Sequence, residues 1–238
     1  MIVTHGTKTS DDTSFRSKSV RLKVCNKIVY SAYDKITAIT PEVANVLKNK
    51  LNIQDDKIIT VINGVNIAKF TCATAYDKNL FFDNASIILI QISRFQRAKD
   101  QKTLIQSLVY LPPYYKLLLV GDGEQKSDCE TLVKTLNLQA RVKFLGVRTD
   151  TDKLLKTSDI VVQSSHWEGF GLAAVEGMAA GKPIIASDVD GLNNIVDNYG
   201  LLFEQGNEKD LAAKILKLEN DEVYDDISKK CAMRAKDF

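Results

Sequence analysis

The sequence predicts an α/β protein whose larger part is a parallel sheet covered by helices. From Ile87 onward, short apolar segments alternate with helix-like segments, and glycine or polar residues follow the apolar segments. Short apolar strands separated by helices are typical of a parallel sheet that is covered on both faces. Ligands of such sheets bind at the carboxyl ends of the strands. The turns after the strands are therefore where a site is expected.

The composition is that of an ordinary globular protein. The 238 residues are 45% hydrophobic and 26% charged, enough for one large or two small domains. The net charge of +2 comes without a basic stripe, so nucleic acid is not an expected partner. The four cysteines lack C-x-x-C spacing, which favours reduced thiols over disulfides or zinc. With no signal-like or membrane-spanning apolar run, we expect a cytoplasmic protein with at most peripheral membrane contact.

The pattern of residues 1–75 predicts part of an α/β domain and a linker. Thr40-Pro41 is typical of a helix start, with proline at the first helical position. Residues 71–86 show little periodicity, as expected of an interdomain linker. The predicted elements are strands at 1–4, 35–39 and 57–62, and helices at 20–33 and 41–51.

Residues 76–220 predict a complete domain, and residues 221–238 a helical tail. The strands are expected at 87–92, 117–120, 142–145, 160–163 and 183–187, and the helices at 102–111, 125–136, 150–156 and 209–218. This regular alternation indicates that the second domain has a complete parallel sheet of its own.

The segment from 164 to 188 predicts a strand end, a glycine-hinged turn, a helix and another strand. Glu168 precedes the helix, which Leu172 opens, and Glu176 lies inside it. A helix start offers free N–H groups and a positive dipole to a phosphate, and carboxylates accept hydrogen bonds from pairs of hydroxyls. The combination predicts a nucleotide-sugar site. A buried βαβ unit with two solvated glutamates is the alternative.

Two cations follow the first strand of this domain. Arg94 and Lys99 lie five positions apart on one predicted loop. A diphosphate leaving group gathers negative charge as a glycosidic bond breaks, and two fixed cations would stabilise it. Arg97 is a competing candidate, and a basic surface loop is the alternative interpretation.

These stretches resemble the donor site of family 4 retaining glycosyltransferases, two-domain enzymes of the GT-B fold. The resemblance rests on E-G-F-G-L-x-x-x-E, on the following G-K-P-I-I-A-S, and on the arginine and lysine of ISRFQRAKD. ITAITPEVANVLKN and KIITVINGVNIAKF are similar to the last βαβ unit of the family's amino-terminal domain and its exit. The resemblance implies a complete Rossmann-like donor domain and a partial amino-terminal Rossmann-like domain.

The resemblance also implies a reaction and a role for each residue. A sugar would pass from a nucleotide-diphosphate sugar to a hydroxyl of a glycan or lipid-linked acceptor, with retention and without an essential metal. Glu168 would bind sugar hydroxyls, Glu176 the ribose, and Arg94 and Lys99 the diphosphate. His5 falls where the family has a histidine near the transferred sugar, although a structural histidine is the alternative. The other expected donor contacts are Gly169, Phe170, Gly171, Leu172, Gly123 and Val147.

Two departures from the family leave alternatives open. Asp190-Gly191 and Asn193-Asn194 stand where the family has a Gly-Gly pair and a glutamate, so the sugar preference is open. The family also has further amino-terminal strands. Their lack would leave an apolar face, which a partner chain or a second copy is expected to cover. A nucleotide-sugar-binding subunit or an inactive remnant is therefore the alternative function. A GT-B epimerase is a third, which the EGFG hinge disfavours.

Overall fold

The structure, a computed structural model, describes residues 2–4, 32–83 and 86–238. The chain divides into two compact units, Met1–Gly64 and Val65–Phe238, each with its own sheet. Residues 65–75, which the sequence assigned to the first domain and its linker, and residues 221–238, which it assigned to a separate tail, group with the second unit. His5 and most of the helix predicted at 20–33 lie outside the described residues.

The described part of the first unit is a three-stranded parallel sheet with one helix. In chain order the elements are strand β1 (Ile2–Thr4), strand β2 (Ile36–Ala38), helix α1 (Pro41–Leu51) and strand β3 (Ile58–Thr60). The strand order is β1-β2-β3. Thr40 caps α1 by accepting a hydrogen bond from the Val43 N–H at 3.1 Å, and Asn52 ends it in the left-handed conformation. The predicted helix start is thus confirmed.

Apolar side chains are exposed along β3 and just after it. Ile59, Val61 and Ile62 are 43%, 53% and 51% exposed. Exposed apolar residues that follow one another in this way are typical of surfaces that bind another polypeptide.

The second unit contains a six-stranded parallel sheet. Its strands are β4 (Ile87–Ile92), β5 (Tyr115–Val120), β6 (Val142–Gly146), β7 (Ile160–Gln163), β8 (Ile184–Ser187) and β9 (Leu201–Phe203). The order is β6-β5-β4-β7-β8-β9. The chain builds outward from β4 in one direction and then returns to build in the other, so the strand order reverses between β4 and β7. Such a switch point opens a crevice at the carboxyl ends of the strands.

Helices cover this sheet. They are α2 (Ile67–Thr71), α3 (Gln101–Ser107), α4 (Lys126–Thr135), α5 (Thr151–Thr157), α6 (Leu172–Ala179), α7 (Asn193–Val196), α8 (Glu208–Lys217) and α9 (Asp221–Arg234). Asn220 caps α9 by accepting from the Glu222 and Val223 N–H groups at 3.0 and 3.2 Å. Helix α9 packs against α6, and this packing attaches the carboxyl-terminal residues to the domain. No helix of the described residues is long and apolar enough to cross a membrane.

The core of the second unit is the middle of the sheet. Consecutive aliphatic residues of β4, β5, β7 and β8, which point to opposite faces of the sheet, are almost completely buried. Truncating such a residue to alanine typically costs about 2–5 kcal/mol of stability. Two amide side chains interrupt this apolar layer, because Gln91 of β4 and Gln163 of β7 are also buried. A buried amide costs free energy unless it is hydrogen-bonded, so each calls for an explanation.

Candidate functional site at the switch point of the sheet

The loops that follow β4 and β7 lie side by side. Their strands are neighbours, with Leu89 paired to Ile160 and Ile90 to Val161. The two loops are also joined directly, since the His166 N–H donates to the Ala98 carbonyl at 2.8 Å. The two stretches that the sequence singled out therefore meet in one crevice.

The loop from 93 to 100 is held in place by hydrogen bonds to its backbone and its ends. The Gln101 side-chain amide donates to the Ser93 hydroxyl and to the Arg94 carbonyl, both at 2.9 Å. Asp100 is left-handed (φ 43°) and caps α3, accepting from the Thr103 hydroxyl at 2.6 Å. A loop tied down in this way can hold a cation at a fixed place.

Lys99 and Glu168 form a direct ion pair across the crevice. The Lys99 ammonium donates to Glu168 Oε2, while Oε1 accepts from the Gly169 N–H at 3.1 Å. The two side chains are only 18% and 15% exposed. Low exposure strengthens the attraction between opposite charges. The structure thus brings together two residues that the sequence placed in one site but in separate roles.

Arg94 is exposed and its guanidinium is uncommitted. Within the described residues, no ion pair or side-chain hydrogen bond involves it, and the neighbouring Arg97 is likewise exposed. An exposed and unpaired guanidinium can bind an anion bidentately without first breaking an ion pair. Exposure alone does not separate Arg94 from Arg97, so the competition between them stays open.

A left-handed glycine precedes helix α6. Gly171 has φ 87° and stands at the N-cap without a capping side chain. The N–H groups of Leu172 and Ala173 in the first turn have no intrahelical partner, so they can donate to an anion. Gly191 packs closely against the backbone of Glu168, because a Cβ at residue 191 would lie 2.4 Å from the Glu168 carbonyl oxygen. The turn that carries Glu168 is thus packed backbone against backbone.

Glu176 lies one turn inside α6 and is half-buried. Burial raises the pKa of its carboxyl above the usual range, and the positive charge of Lys69 on α2 partly offsets this. A carboxyl with a raised pKa near a helix N-terminus is characteristic of functional sites, although structural groups can show the same shift.

Phe170 is a core residue rather than a surface of the site. Its side chain is buried and its ring meets that of Phe238 edge-on, at 5.5 Å between centroids. Only its backbone can contact a ligand. Leu172, in contrast, is exposed at the start of α6.

The glycines after β5 have a packing role that the sequence did not indicate. A Cβ at Gly121 or Gly123 would lie 2.1 or 2.4 Å from a carbonyl oxygen of the β4 loop. Their first function is therefore to let the β5 loop touch the β4 loop. Val147, after β6, is 76% exposed and can offer an apolar surface to a ligand.

Sequence reasoning missed the buried polar residues beneath the site. Gln91 and Ser164 hydrogen-bond to the loop that carries Lys99. The available signal was a glutamine in the otherwise apolar strand IILIQI. A second missed group is Asp150, which accepts from Arg148 and from the Tyr76 hydroxyl at 2.6 Å. Those hydrogen bonds hold the pKa of Asp150 well below its usual range.

The fold and site geometry define a GT-B type α/β protein. Two crystal structures of HepE from Anabaena are similar. The complex with UDP has a TM-score of 0.85 and 22% identity, over 99% of this chain and 67% of HepE. The complex with UDP-glucose has a TM-score of 0.78 and 26% identity, over 86% and 59%. The protein-family model described as "Glycosyl transferases group 1" matches residues 73–238 of this chain. The chain therefore belongs to the group 1 glycosyltransferases, which confirms the family predicted from the sequence.

Two curated relatives have stated activities. The chain is 28% identical over 232 residues to the Escherichia coli UDP-Gal:alpha-D-GlcNAc-diphosphoundecaprenol alpha-1,3-galactosyltransferase, covering 92% of this chain and 60% of the relative. It is 30% identical over 236 residues to the Campylobacter jejuni N,N'-diacetylbacillosaminyl-diphospho-undecaprenol alpha-1,3-N-acetylgalactosaminyltransferase, covering 94% and 62%. The chain thus spans about three fifths of the length of these relatives.

Proposed function

We propose that the protein transfers a sugar from a nucleotide-diphosphate sugar to a hydroxyl acceptor with retention, in glycan or cell-surface polysaccharide synthesis. The observation that carries this proposal is the Lys99–Glu168 pair in front of the N-terminus of α6, at the switch point of the sheet. A cation, a carboxylate and free N–H groups side by side support a phosphate-linked sugar as the ligand.

Each part of the donor has a proposed partner. Arg94, Lys99 and the first turn of α6 bind the diphosphate. Glu176 accepts hydrogen bonds from the ribose diol, and Glu168 accepts them from the sugar hydroxyls. The backbone from Gly169 to Gly171 permits the close approach, with Leu172, Gly123 and Val147 flanking the nucleotide. His5 is proposed to lie near the transferred sugar on the strength of the sequence alone.

The proposed chemistry is front-face attack within an ion pair. As the bond between the anomeric carbon and the diphosphate breaks, negative charge grows on the departing diphosphate. The acceptor oxygen bonds to the anomeric carbon on the same face, and its proton passes to the departing phosphate. Lys99 and Arg94 stabilise the growing charge, and loss of one such fixed donor typically costs about 3 kcal/mol in the barrier. The residues need supply no nucleophile of their own, which accords with the carboxylate of Glu168 being paired to Lys99.

The acceptor and the cellular setting are proposed from the names of relatives and from the sequence. The names of two relatives contain a diphosphoundecaprenol-linked sugar, which favours a lipid-linked glycan acceptor and work at the inner face of the membrane. The cysteine pattern favours the cytoplasm. The exposed Ile59, Val61 and Ile62 favour a partner chain or a second copy on the first unit.

The proposal is tested by calorimetry of the chain with the nucleoside diphosphates and their sugars. We expect one base to bind, and we expect Arg94→Ala and Glu176→Ala each to weaken that binding. Arg97→Ala removes the competing exposed arginine of the same loop, so a loss there but not in Arg94→Ala would move the diphosphate contact to Arg97. Unchanged affinity in both site variants would refute the site. Binding without hydrolysis or transfer would instead favour a nucleotide-sugar-binding subunit.

A further inference from the structure

Gln91 is an amide buried in the central strand of the sheet. It is 1% exposed and stands in β4, between Ile90 and Ile92. Burying an amide in an apolar layer is unfavourable unless its hydrogen bonds are made. A leucine would fill the same space without that requirement, so the contacts of the amide show what it does.

The amide of Gln91 contacts both loops of the site. Its Nε2 donates to the Lys99 carbonyl at 2.9 Å, and its Oε1 lies 3.2 Å from the Ser164 hydroxyl. The Ser164 hydroxyl, itself fully buried, also lies 2.8 Å from the Asp100 carbonyl and 3.2 Å from the Lys99 carbonyl. One proton serves three acceptors, and the shortest of the three contacts is to Asp100.

These contacts close a ring with the Lys99–Glu168 ion pair. Gln91 holds the backbone of Lys99 from below, and the Lys99 side chain reaches Glu168. From Glu168 the chain runs back only four residues to Ser164, which returns to Gln91. The ring therefore sets where the Lys99 ammonium stands relative to the loop of Glu168 and the start of α6.

From this ring we infer that Gln91 and Ser164 are positioning residues. They hold the Lys99 ammonium where it contacts the second phosphate of a nucleoside diphosphate. The inference rests on the proposed function of the same site. Neither side chain touches the donor, and both act through the backbone of residues 99 and 100. A small displacement of a positioned charge is enough to weaken binding strongly.

The test compares the diphosphate and the monophosphate of the base that the wild-type chain binds, with UDP and UMP as the first pair. The inference puts Lys99 at the second phosphate, which a monophosphate lacks, so only the diphosphate should respond when Lys99 is displaced. Gln91→Leu keeps the volume and removes both hydrogen bonds. We expect it to weaken UDP binding about tenfold while UMP binding stays unchanged. Ser164→Ala should act in the same direction, and Ser164→Thr, which keeps the hydroxyl, should restore the affinity.

Gln163→Leu is the matched control. Gln163 is also a buried amide of the sheet, and among the described residues its Nε2 has no hydrogen-bond partner. The same substitution there should leave the ratio of UDP to UMP affinity unchanged. Thermal melts establish that each variant is folded, and the Ser164 pair decides the matter if Gln91→Leu does not fold.

The outcomes separate this inference from the proposed function. Equal losses for UDP and UMP, or wild-type affinity for both in Gln91→Leu and Ser164→Ala, would overturn the positioning role while the donor site stands. Failure of the wild-type chain to bind any nucleoside diphosphate would overturn the proposed function, and this inference with it.

Discussion

At the scale of single residues, the site depends on how the turn around Glu168 is packed. The Glu168 carboxylate is held from both sides, by the Lys99 ammonium and by the Gly169 N–H. Its carbonyl faces Gly191, which leaves no room for a Cβ. A change at Gly191 should therefore move Glu168 although it removes no functional group.

Gly191→Ala tests that packing, and Gly206→Ala is its control. Both glycines are left-handed, with φ 87° and 72°, but a Cβ at Gly206 meets nothing within 4 Å. We expect Gly206→Ala to cost about 1–2 kcal/mol from backbone strain alone. Gly191→Ala should cost more in urea unfolding and should also weaken nucleotide binding in calorimetry. Equal costs in the two variants would show that the Gly191 contact is not tight.

Glu176 should make nucleotide binding sensitive to acid. Because burial raises its pKa, the carboxyl takes up a proton at a higher pH than an ordinary glutamate does on acidification. The neutral carboxylic acid is a weaker acceptor for the ribose hydroxyls. Affinity should therefore fall as the pH drops through this raised pKa.

Glu176→Gln should remove that part of the pH dependence and leave the part due to the phosphates. Calorimetric titrations of both proteins with one ligand, from neutral pH downward, give the comparison. If affinity falls with pH in the same way in both proteins, Glu176 does not contact the nucleotide.

At the scale of elements, helix α6 sits close on strand β7 because residue 177 is glycine. A Cβ there would lie 2.9 Å from both methyl carbons of Val161. We expect Gly177→Ala to destabilise the protein by about 1–3 kcal/mol through overpacking, despite the better helix propensity of alanine. In a Val161→Ala background both methyl contacts are gone and only the Cβ of residue 161, at 3.1 Å, stays close, so the same change should cost clearly less.

A double-mutant cycle in urea measures this coupling. Additive costs of the two changes would contradict direct packing of α6 on Val161.

The sequence predicted the elements better than their contacts. Strand ends and helix starts came from local signals such as Thr40-Pro41 and the EGFG turn, and in the part of the chain that the structure describes they lie within a few residues of the predicted positions. The adjacency of β4 and β7 depends on long-range pairing, which local patterns do not encode. For the same reason the Lys99–Glu168 pair, the bonds of Gln91 and the packing of Gly121 against Ser93 were not predictable.

At the scale of the whole molecule, burial should decide which thiols react. Burial raises the pKa of Cys129 to about 11 and that of Cys231 to about 12, whereas Cys72 is exposed. The thiolate is the reactive form, so native protein should be alkylated at Cys72 and protected at Cys129 and Cys231, while Cys25 lies outside the described residues. Peptide mapping after iodoacetamide treatment checks this, with urea-unfolded protein as the control. Native labelling of Cys231 at the rate of Cys72 would contradict the packing of α9.

The second unit should bind nucleotide without the first. The proposed diphosphate and ribose contacts all lie in the unit Val65–Phe238, which has its own core. We expect a fragment of residues 65–238 to fold and to bind UDP as the whole chain does. Calorimetry of the fragment decides it. Weaker binding of UDP-glucose alone would assign a sugar contact, such as the one proposed for His5, to the first unit.

The Lys99–Glu168 pair joins residues 69 positions apart in the chain. Because the two residues are so far apart in sequence, their ion pair can form only after β7 has paired with β4. The pocket therefore forms together with the sheet. A nucleotide that contacts both loops would link the two halves of the sheet, which meet between β4 and β7. Its binding energy would then resist opening of all six strands together, and slow amide exchange throughout the sheet would be the signature.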